Sequence, residues 1–300
     1  MTPNAIFIGG PTSSNKTRLA NEIKAETSGM VVNADSMQVY DQLEILTNKP
    51  NLKQITKDNL KLFGFIEYPN ICSVGLWNKK VKSMMIQTKS TPIFVGGTGL
   101  YFDSLVNELS SIPKIPKTIK NEVNELHLSH GNEFLYKKLS LLDSEFIQRT
   151  SSNDTQRIIR AMEVYYATGK SISYWQKQVT DKKNSFFNKY IYVILKTERE
   201  SLYKRINERC TKMLKDGVLD EIKTFLKIKS KIDHPLHKAI GLRSLEKYLK
   251  GKISLEDSLE IFRRDTRRYA KRQITWFKNR AKNAKHLEFK EAKTYILDNI

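Results

Sequence analysis

The sequence predicts an α/β protein, in which a parallel β-sheet is flanked by helices and interrupted by an inserted all-helical domain. Short apolar runs, which are typical of buried strands, alternate with amphipathic stretches that have helical spacing. Polar loops follow three of the predicted strands, at residues 10–17, 35–38 and 96–99. Because ligands bind at the carboxyl ends of the strands in such sheets, we expect these three loops to meet at one edge.

The first strand, at residues 5–8, leads into a pattern that predicts a phosphate-binding loop and a P-loop NTPase-like fold. From Gly10 the spacing is G-x-x-x-x-x-K-T, and Lys16 and Thr17 open an amphipathic stretch. In such a loop the main-chain N–H groups and the helix dipole attract phosphate oxygens, the lysine neutralises their charge, and the hydroxyl reaches a Mg²⁺. Asn15 stands where a glycine is usual, and asparagine also tolerates positive φ, so the loop can close. The alternative is an ordinary strand-to-helix turn with a solvated lysine.

Further strands are predicted at residues 30–33 and 92–95, and between residues 41 and 70 the one strand candidate is residues 62–66. From residue 117 to about residue 175 the pattern is helical throughout, and strand character returns at residues 190–195. We therefore predict a catalytic core formed by residues 1–112 plus 186–300 and a helical insertion domain at residues 113–185. Helices are predicted in the remainder at residues 198–214, 218–228, 237–249 and 254–281.

The composition points to a polyanionic partner. The chain has 52 Lys and Arg residues against 32 Asp and Glu residues, which gives a net charge of +20. Nine of the twenty residues at 263–282 are Lys or Arg, and these surround an aromatic stripe of Phe262, Tyr269 and Trp276 that we assign to the core. A Lys-rich background is the alternative explanation for the charge, but it does not account for the clustered arginines.

The sequence has two cysteines without a metal-binding spacing, no basic leader and no long apolar run. Together these features predict a cytoplasmic protein. We expect a monomer without a membrane span.

Three groups of polar residues are candidates for chemistry. Asp35 follows a strand and acts as a general base, touches the metal, or only caps the next turn. Thr98 lies in the second glycine-rich turn, where its hydroxyl would face an anion shared with the first loop. Arg157 and Arg160 are three residues apart, hence on one helix face, which either has a function or is simply solvated with Ile158 and Ile159 in the core.

Together these segments resemble the tRNA dimethylallyltransferase family, also called tRNA isopentenyltransferases. The family's G-P-T-[AS]-S-G-K-[ST]-x-L-A matches residues 10–20 except at Asn15, and the likeness runs from residue 6 to about residue 280. The other matching motifs are N-A-D-S-M-Q-V-Y at 33–40, V-G-G-T-G-L-Y at 95–101, N-D-x-x-R-I-I-R-A-x-E-V at 153–164, R-x-x-x-M-L-x-x-G-[LV]-x-[DE]-E at 209–221 and the A-K-R-Q-x-T-W-F string within 267–277.

The resemblance implies transfer of a dimethylallyl group from dimethylallyl diphosphate to N6 of adenosine 37 in tRNAs that read codons beginning with U. It implies Mg²⁺ near Thr17, Asp35 as the group that takes the N6 proton, and Thr98 as the contact to the bridging oxygen. The residues implied for the diphosphate are Gly10, Pro11, Thr12, Ser13, Ser14, Asn15, Lys16, Thr17 and Arg209. Those implied for tRNA are Asp35, Ser36, Met37, Gln38, Thr98, Lys120, Gln156, Arg157, Ile158, Ile159 and Arg160.

Three other functions remain open on the sequence. One is prenylation of free adenine nucleotides, and another is a small-metabolite P-loop kinase. The third is a non-catalytic RNA-binding protein whose phosphate loop is disabled by Asn15. The helical insertion, residues 156–160 and the net charge of +20 favour tRNA over free nucleotides as the substrate. A kinase would not explain the D-S-M-Q motif or the basic C-terminal segment, and the agreement of many separate motifs favours the tRNA-modifying enzyme over all three.

Overall fold

The structure is a computed structural model, which describes residues 5–88, 90–107, 110, 112–178, 186–187, 189–230 and 233–300. It divides into two compact units. The first consists of Met1–Val106 and Ser185–Ile300, and the second is Asn107–Asn184. The predicted insertion was 113–185, and its C-terminal limit, residue 185, lies outside the described residues.

The first unit is built on a parallel β-sheet, which confirms the predicted fold class. Its strands are β1 (Ala5–Gly9), β2 (Met30–Asn33), β3 (Pro92–Gly96), β4 (Tyr190–Leu195) and β5 (Lys285–Leu287). Within the described residues the strand order is β2-β3-β1-β4-β5, and every neighbouring pair is parallel. The short edge strand β5 was not predicted, because its partly exposed K-H-L sequence carries no apolar run.

The described helices in chain order are α1 (Lys16–Thr27), α2 (Glu44–Thr47), α3 (Leu52–Lys57), α4 (Val74–Ile86), α5 (Gly99–Val106), α6 (Lys117–Leu142), α7 (Ser144–Gln148), α8 (Thr155–Thr168), α9 (Ile172–Lys177), α10 (Arg199–Lys215), α11 (Val218–Ile228), α12 (Leu242–Leu249), α13 (Leu255–Arg280) and α14 (Phe289–Leu297). None of the helices in the described ranges is long and apolar enough to cross a membrane.

Two predicted elements were wrong. The candidate strand at residues 62–66 is a loop, in which Ile66 forms an isolated bridge with Tyr40. The preceding residue Lys61 forms another with Val32 of β2. The predicted helix at residues 237–249 is a short 3₁₀ turn at Pro235–Lys238 followed by α12, because Gly241 takes a left-handed conformation (φ 93°) between them. A left-handed residue interrupts the helical path, and glycine adopts it at little cost.

Helices cover both faces of the sheet, so the strands β1, β2 and β3 are buried on both sides. Along β1, Phe7 packs into one apolar cluster with Phe94, whereas Ile6 and Ile8 enter a second cluster with Leu19 of α1. This alternation follows from the two-residue period of a strand. Burial on both faces explains why the strands read as continuous apolar runs. The sheet is thereby held rigidly, and its carboxyl edge is a stable platform for loops.

The second unit is all helical among its described residues and contains α6, α7, α8 and α9. Its core includes Val123, Leu135, Ile158 and Met162. Helix α6 bends at Gly131, whose φ is 75°. Each unit therefore has its own apolar core.

Candidate active site

The three polar loops come together at the carboxyl ends of β1, β2 and β3, as the sequence predicted. The hydroxyl of Thr98 accepts a hydrogen bond from the main-chain N–H of Ser36 at 2.9 Å, which joins the loops after β2 and β3. A cavity of about 480 Å³ opens beside them. Its lining includes Thr12, Ser13, Ser14, Asn15, Lys16, Thr17, Asp35, Met37, Gln38, Arg205, Arg209, Tyr269 and Arg272.

The phosphate loop closes with Asn15 in the left-handed region (φ 67°, ψ 21°), immediately before α1 begins at Lys16. This is the conformation expected for the position that is usually glycine, and asparagine tolerates it better than other side chains do. The Asn15 side chain is exposed. The first turn of α1, whose N–H groups have no partner within the helix, therefore borders the cavity.

The cavity is electropositive and contains polar atoms without protein partners. Lys16 donates to the carbonyl oxygen of Pro11 at 2.6 Å. Desolvation lowers the pKa of Lys16 to about 8; Asp35 acts in the opposite direction, and the Arg209 charge lowers it further. Burial also lowers the pKa of the Arg209 guanidinium. Within the described ranges, the buried Oγ atoms of Ser13 and Ser14 and Nε of Arg209 lack a hydrogen-bond partner. Such a group is suited to an anion.

Asp35 caps the turn, as one of its alternatives predicted, and it also lies at the cavity, so its role as a general base stays a prediction. Its Oδ1 accepts the N–H of Met37 at 2.9 Å, which caps the turn, and its side chain also lines the cavity. The side chain of Asn33 holds this turn through three hydrogen bonds. Its Oδ1 accepts the N–H of Asp35, and its Nδ2 donates to the carbonyl oxygens of Asp35 and Leu62. Asn33 is fully buried. The carboxylate is thus held in one orientation.

The loop that carries Met37 and Gln38 is tied to α2. Nε2 of Gln38 donates to the carbonyl oxygens of Thr47 and Asn48 at 3.0 and 3.1 Å. The carboxylate of Glu221 accepts the N–H groups of Ile45 and Leu46 at the start of α2. This arrangement places Leu46 in the cavity wall, together with the further apolar lining residues Phe63, Ala239, Ile240 and Phe262. The lining of the cavity therefore combines apolar and cationic side chains.

The remaining predicted site residues lie elsewhere. Thr98 and Ser36 do not line this cavity; they bond to each other beside it. Lys120, Gln156 and Arg157 are exposed on the second unit, whereas Ile158 is buried in its core, so the side chain of Ile158 is not available to RNA.

Arg160 and Ile159 are the last two of these residues, and Arg160 resembles Arg157 in its surroundings. Arg157 and Arg160 form surface ion pairs with Asp154 and Glu163, which contribute little to stability. Ile159 is half-buried and packs against the core of its unit.

Several residues at the site were not found from the sequence. Arg205 donates from Nε to the carbonyl oxygen of Ser13 at 3.0 Å, and Gln273 hydrogen-bonds the phosphate loop. Tyr269 was assigned to the core but lines the cavity, and burial raises the pKa of its hydroxyl. Phe262, seven residues earlier on the same stripe, is buried in the core and also lines the cavity. Helical spacing alone therefore could not separate core positions from site positions.

Comparison with known proteins agrees with this geometry. The family model described as IPP transferase matches residues 38–280. The tRNA dimethylallyltransferase of Pelagibacter ubique is 39% identical over 279 residues, covering 92% of this chain and 88% of that protein. More than half of the chain is therefore matched by one family model.

Solved structures give the same result. The full-length tRNA isopentenylpyrophosphate transferase from Bacillus halodurans superposes with a TM-score of 0.69 at 26% identity, covering 99% of this chain and 96% of that one. A eukaryotic dimethylallyltransferase captured acting on tRNA has a TM-score of 0.79 at 25% identity, covering 96% and 74%. The family model, the relatives and the solved structures each match most of this chain. This chain therefore belongs to the IPP transferase family, among the tRNA dimethylallyltransferases.

Proposed function

We propose that this protein transfers the dimethylallyl group of dimethylallyl diphosphate to N6 of adenosine 37, in the anticodon loop of tRNAs that read codons beginning with U. The observation that carries the proposal is one cavity that combines a phosphate loop, a fixed carboxylate and two half-buried cations. These are the groups that a diphosphate leaving group and an amine nucleophile require.

In the proposed step, the bond between the allylic carbon and the bridging oxygen breaks while a bond from N6 to that carbon forms. Lys16, Arg209 and the loop N–H groups stabilise the charge that builds up on the departing diphosphate. The exocyclic amine of adenine is a weak nucleophile, so holding it in line with the allylic carbon contributes much of the rate. We assign the contact with the bridging oxygen to Thr98.

The N6 proton is transferred to the carboxylate of Asp35. The acidity of this proton rises as the new bond forms, so a carboxylate of ordinary basicity accepts it when it is held in place. The hydrogen bonds from Met37 to the side chain and from Asn33 to the main chain supply that orientation.

We propose that Mg²⁺ binds together with the diphosphate, beside the hydroxyl of Thr17. Thr17 and Asp35 both bring oxygen atoms to the cavity, and oxygen is the ligand that Mg²⁺ prefers. No group of three His, Cys, Asp or Glu side chains in the described ranges forms a dedicated metal cage, and Mg²⁺ is commonly held by one or two protein ligands plus substrate phosphates. When bound, the ion supplies charge neutralisation to the leaving group.

We propose that the tRNA substrate contacts the basic face of α13 in the first unit. The exposed Lys120, Gln156 and Arg157 are proposed as further contacts that belong to the second unit. Because adenosine 37 is stacked in the anticodon loop, it must leave the stack to reach the cavity. We further propose that the enzyme acts as a cytoplasmic monomer, to which the free thiols of Cys72 and Cys210 are suited.

The test is transfer of radiolabel from dimethylallyl diphosphate to an anticodon stem-loop with adenosine at positions 36 to 38, in the presence of Mg²⁺. We expect label in the RNA with wild type and a loss of roughly 100-fold or more in Asp35→Ala. A matched stem-loop with guanosine at position 37 should stay unlabelled.

Each alternative function predicts a different result. Labelling of free adenine nucleotides at an equal rate would favour the nucleotide-prenylating enzyme, and triphosphate hydrolysis without transfer would favour a kinase. RNA binding that responds to neither dimethylallyl diphosphate nor Mg²⁺ would favour a binding protein. Full activity of Asp35→Ala would overturn the assigned base.

A further inference from the structure

We propose that Gln273 is a positioning residue for the transfer reaction, which fixes the diphosphate loop relative to the loop that carries Thr98. This inference rests on the function proposed above. Gln273 lies on α13 and is only 5% exposed. The charge and burial patterns of α13 do not distinguish Gln273 from residues that only pack in the core, because it is an uncharged, buried residue on a basic helix.

The amide of Gln273 bridges the two loops directly. Its Oε1 accepts the main-chain N–H of Thr12 at 2.8 Å, and its Nε2 donates to the carbonyl oxygen of Gly97 at 3.0 Å. These two loops follow the neighbouring strands β1 and β3. The N–H of Thr12 is thereby engaged with α13, so the diphosphate is left to the N–H groups further along the loop.

The two partners determine which chemical group must stand at residue 273. A main-chain N–H can only donate and a main-chain carbonyl can only accept, so the residue between them needs one acceptor and one donor. The amide of glutamine supplies both. An ionised glutamate would keep the bond to Thr12 but would turn an oxygen toward the oxygen of Gly97, which leaves that buried carbonyl unsatisfied.

Gly97 is matched to this contact. A Cβ atom built on Gly97 would lie 2.0 Å from Nε2 of Gln273, closer than any real contact. The second glycine of G-G-T-G is therefore required for the close approach of the amide. Residues 97 and 273 form one unit although they are 176 positions apart.

The bridge extends to the proposed catalytic groups. Thr98 follows Gly97 directly, and its hydroxyl accepts the N–H of Ser36, the residue after Asp35. A chain of hydrogen bonds thus links the phosphate loop through Gln273 to the loop of the carboxylate. Because an error of about 1 Å in the placement of reacting groups costs on the order of 100-fold in rate, loss of the bridge should lower kcat rather than RNA affinity.

The experiment compares steady-state prenyl transfer by the full-length wild type, Gln273→Met and Gln273→Glu. Methionine keeps the volume but loses both hydrogen bonds, and we expect kcat to fall roughly 10- to 100-fold with the KM for the stem-loop little changed. For Gln273→Glu, we expect the rate relative to wild type to rise as the pH is lowered, because the protonated acid regains a donor for Gly97.

Two results would overturn the inference: wild-type kcat in Gln273→Met, or a Gln273→Glu to wild-type ratio that does not change with pH. Thermal unfolding checks that each variant is folded. If Gln273→Met does not fold, the inference is tested with Gln273→Glu and Gly97→Ala instead. We expect Gly97→Ala to show the same loss of kcat, since its Cβ displaces the amide of Gln273. Absence of transfer in the wild type itself would instead contradict the proposed function, so the two failures are distinguishable.

Discussion

At the scale of single residues, the site depends on the charge state of Lys16. Its ammonium is desolvated and lies near the guanidinium of Arg209, and these two effects outweigh the attraction of Asp35. The result is a pKa of about 8 instead of 10.5. Lys16 is therefore cationic below about pH 8 and neutral above it, within the range in which enzymes are assayed.

We expect kcat/KM for dimethylallyl diphosphate to fall as the pH rises through about 8, because this ratio reports the ionisation of the free enzyme. In Lys16→Arg the side chain stays charged throughout, so this fall should disappear even if the maximal activity is lower. The measurement is a pH profile of both proteins from about pH 6 to about pH 10. Identical profiles would show that another group controls diphosphate binding.

Asn15 provides a second prediction at this scale. Its left-handed backbone favours glycine or asparagine over alanine, and its side chain is exposed. We expect Asn15→Gly to leave the free energy of unfolding within about 0.5 kcal/mol of wild type and Asn15→Ala to lower it by about 1 kcal/mol. Urea unfolding measures both.

Transfer assays on the same proteins test whether Asn15 crowds the diphosphate. Asn15 lines the cavity but is exposed and makes no capping hydrogen bond, so we expect Asn15→Gly to transfer at nearly the wild-type rate. A large gain in Asn15→Gly would show that the amide hinders diphosphate binding and that this loop is compromised.

At the scale of elements, α13 packs against the core and contacts the loops at the carboxyl edge of the sheet. Phe262 and Phe277 anchor it in the core, Gln273 holds two loops, and Trp276 packs over Gly99 at the start of α5. A Cβ on Gly99 would lie 2.0 Å from the indole ring of Trp276. The first residue of α5 is therefore glycine because a large aromatic ring occupies the space.

We expect Gly99→Ala to lower the free energy of unfolding by about 1 to 3 kcal/mol, since the ring must move. Gly75 near the start of α4 is a matched control, because the nearest atom to its added Cβ is Oγ of Ser73 at 3.9 Å. Gly75→Ala should be neutral or stabilising by up to about 1 kcal/mol. Equal effects of the two substitutions in urea unfolding would contradict the packing argument.

At the scale of the whole molecule, the net charge of +20 should govern RNA affinity. Neutralising phosphates releases counterions, so log K should fall linearly with log salt concentration. The exposed cations of α13, such as Lys271, are the proposed contacts, whereas Lys290 on α14 lies outside that basic segment.

We expect Lys271→Gln to weaken stem-loop binding and to reduce the salt slope by about 1. Lys290→Gln removes the same charge from the molecule and should leave the slope unchanged. Fluorescence anisotropy over a range of salt concentrations measures both. An equal change in the two slopes would indicate that total charge, and not a defined basic face, binds the RNA.

The sequence by itself determined the fold class, the position of the phosphate loop and the family. These rest on local signals: apolar runs of strand length, glycines at strand ends, and contiguous motifs such as D-S-M-Q. Even the left-handed conformation of Asn15 followed from residue type. The edge strand β5 and the helix break at Gly241 were not predicted, because the local pattern of apolar residues does not set either of them apart from its surroundings.

Only the tertiary structure decided how the site is held together. Gln273 reaches Thr12 across 261 positions and Gly97 across 176, so no local pattern contains the bridge. The lowered pKa of Lys16 arises from the combined burial and charges of distant segments. Tyr269 faces the cavity because of where α13 passes the sheet edge. Hydrogen bonds and desolvation act between neighbours in space, and sequence periodicity records only which side of an element is apolar.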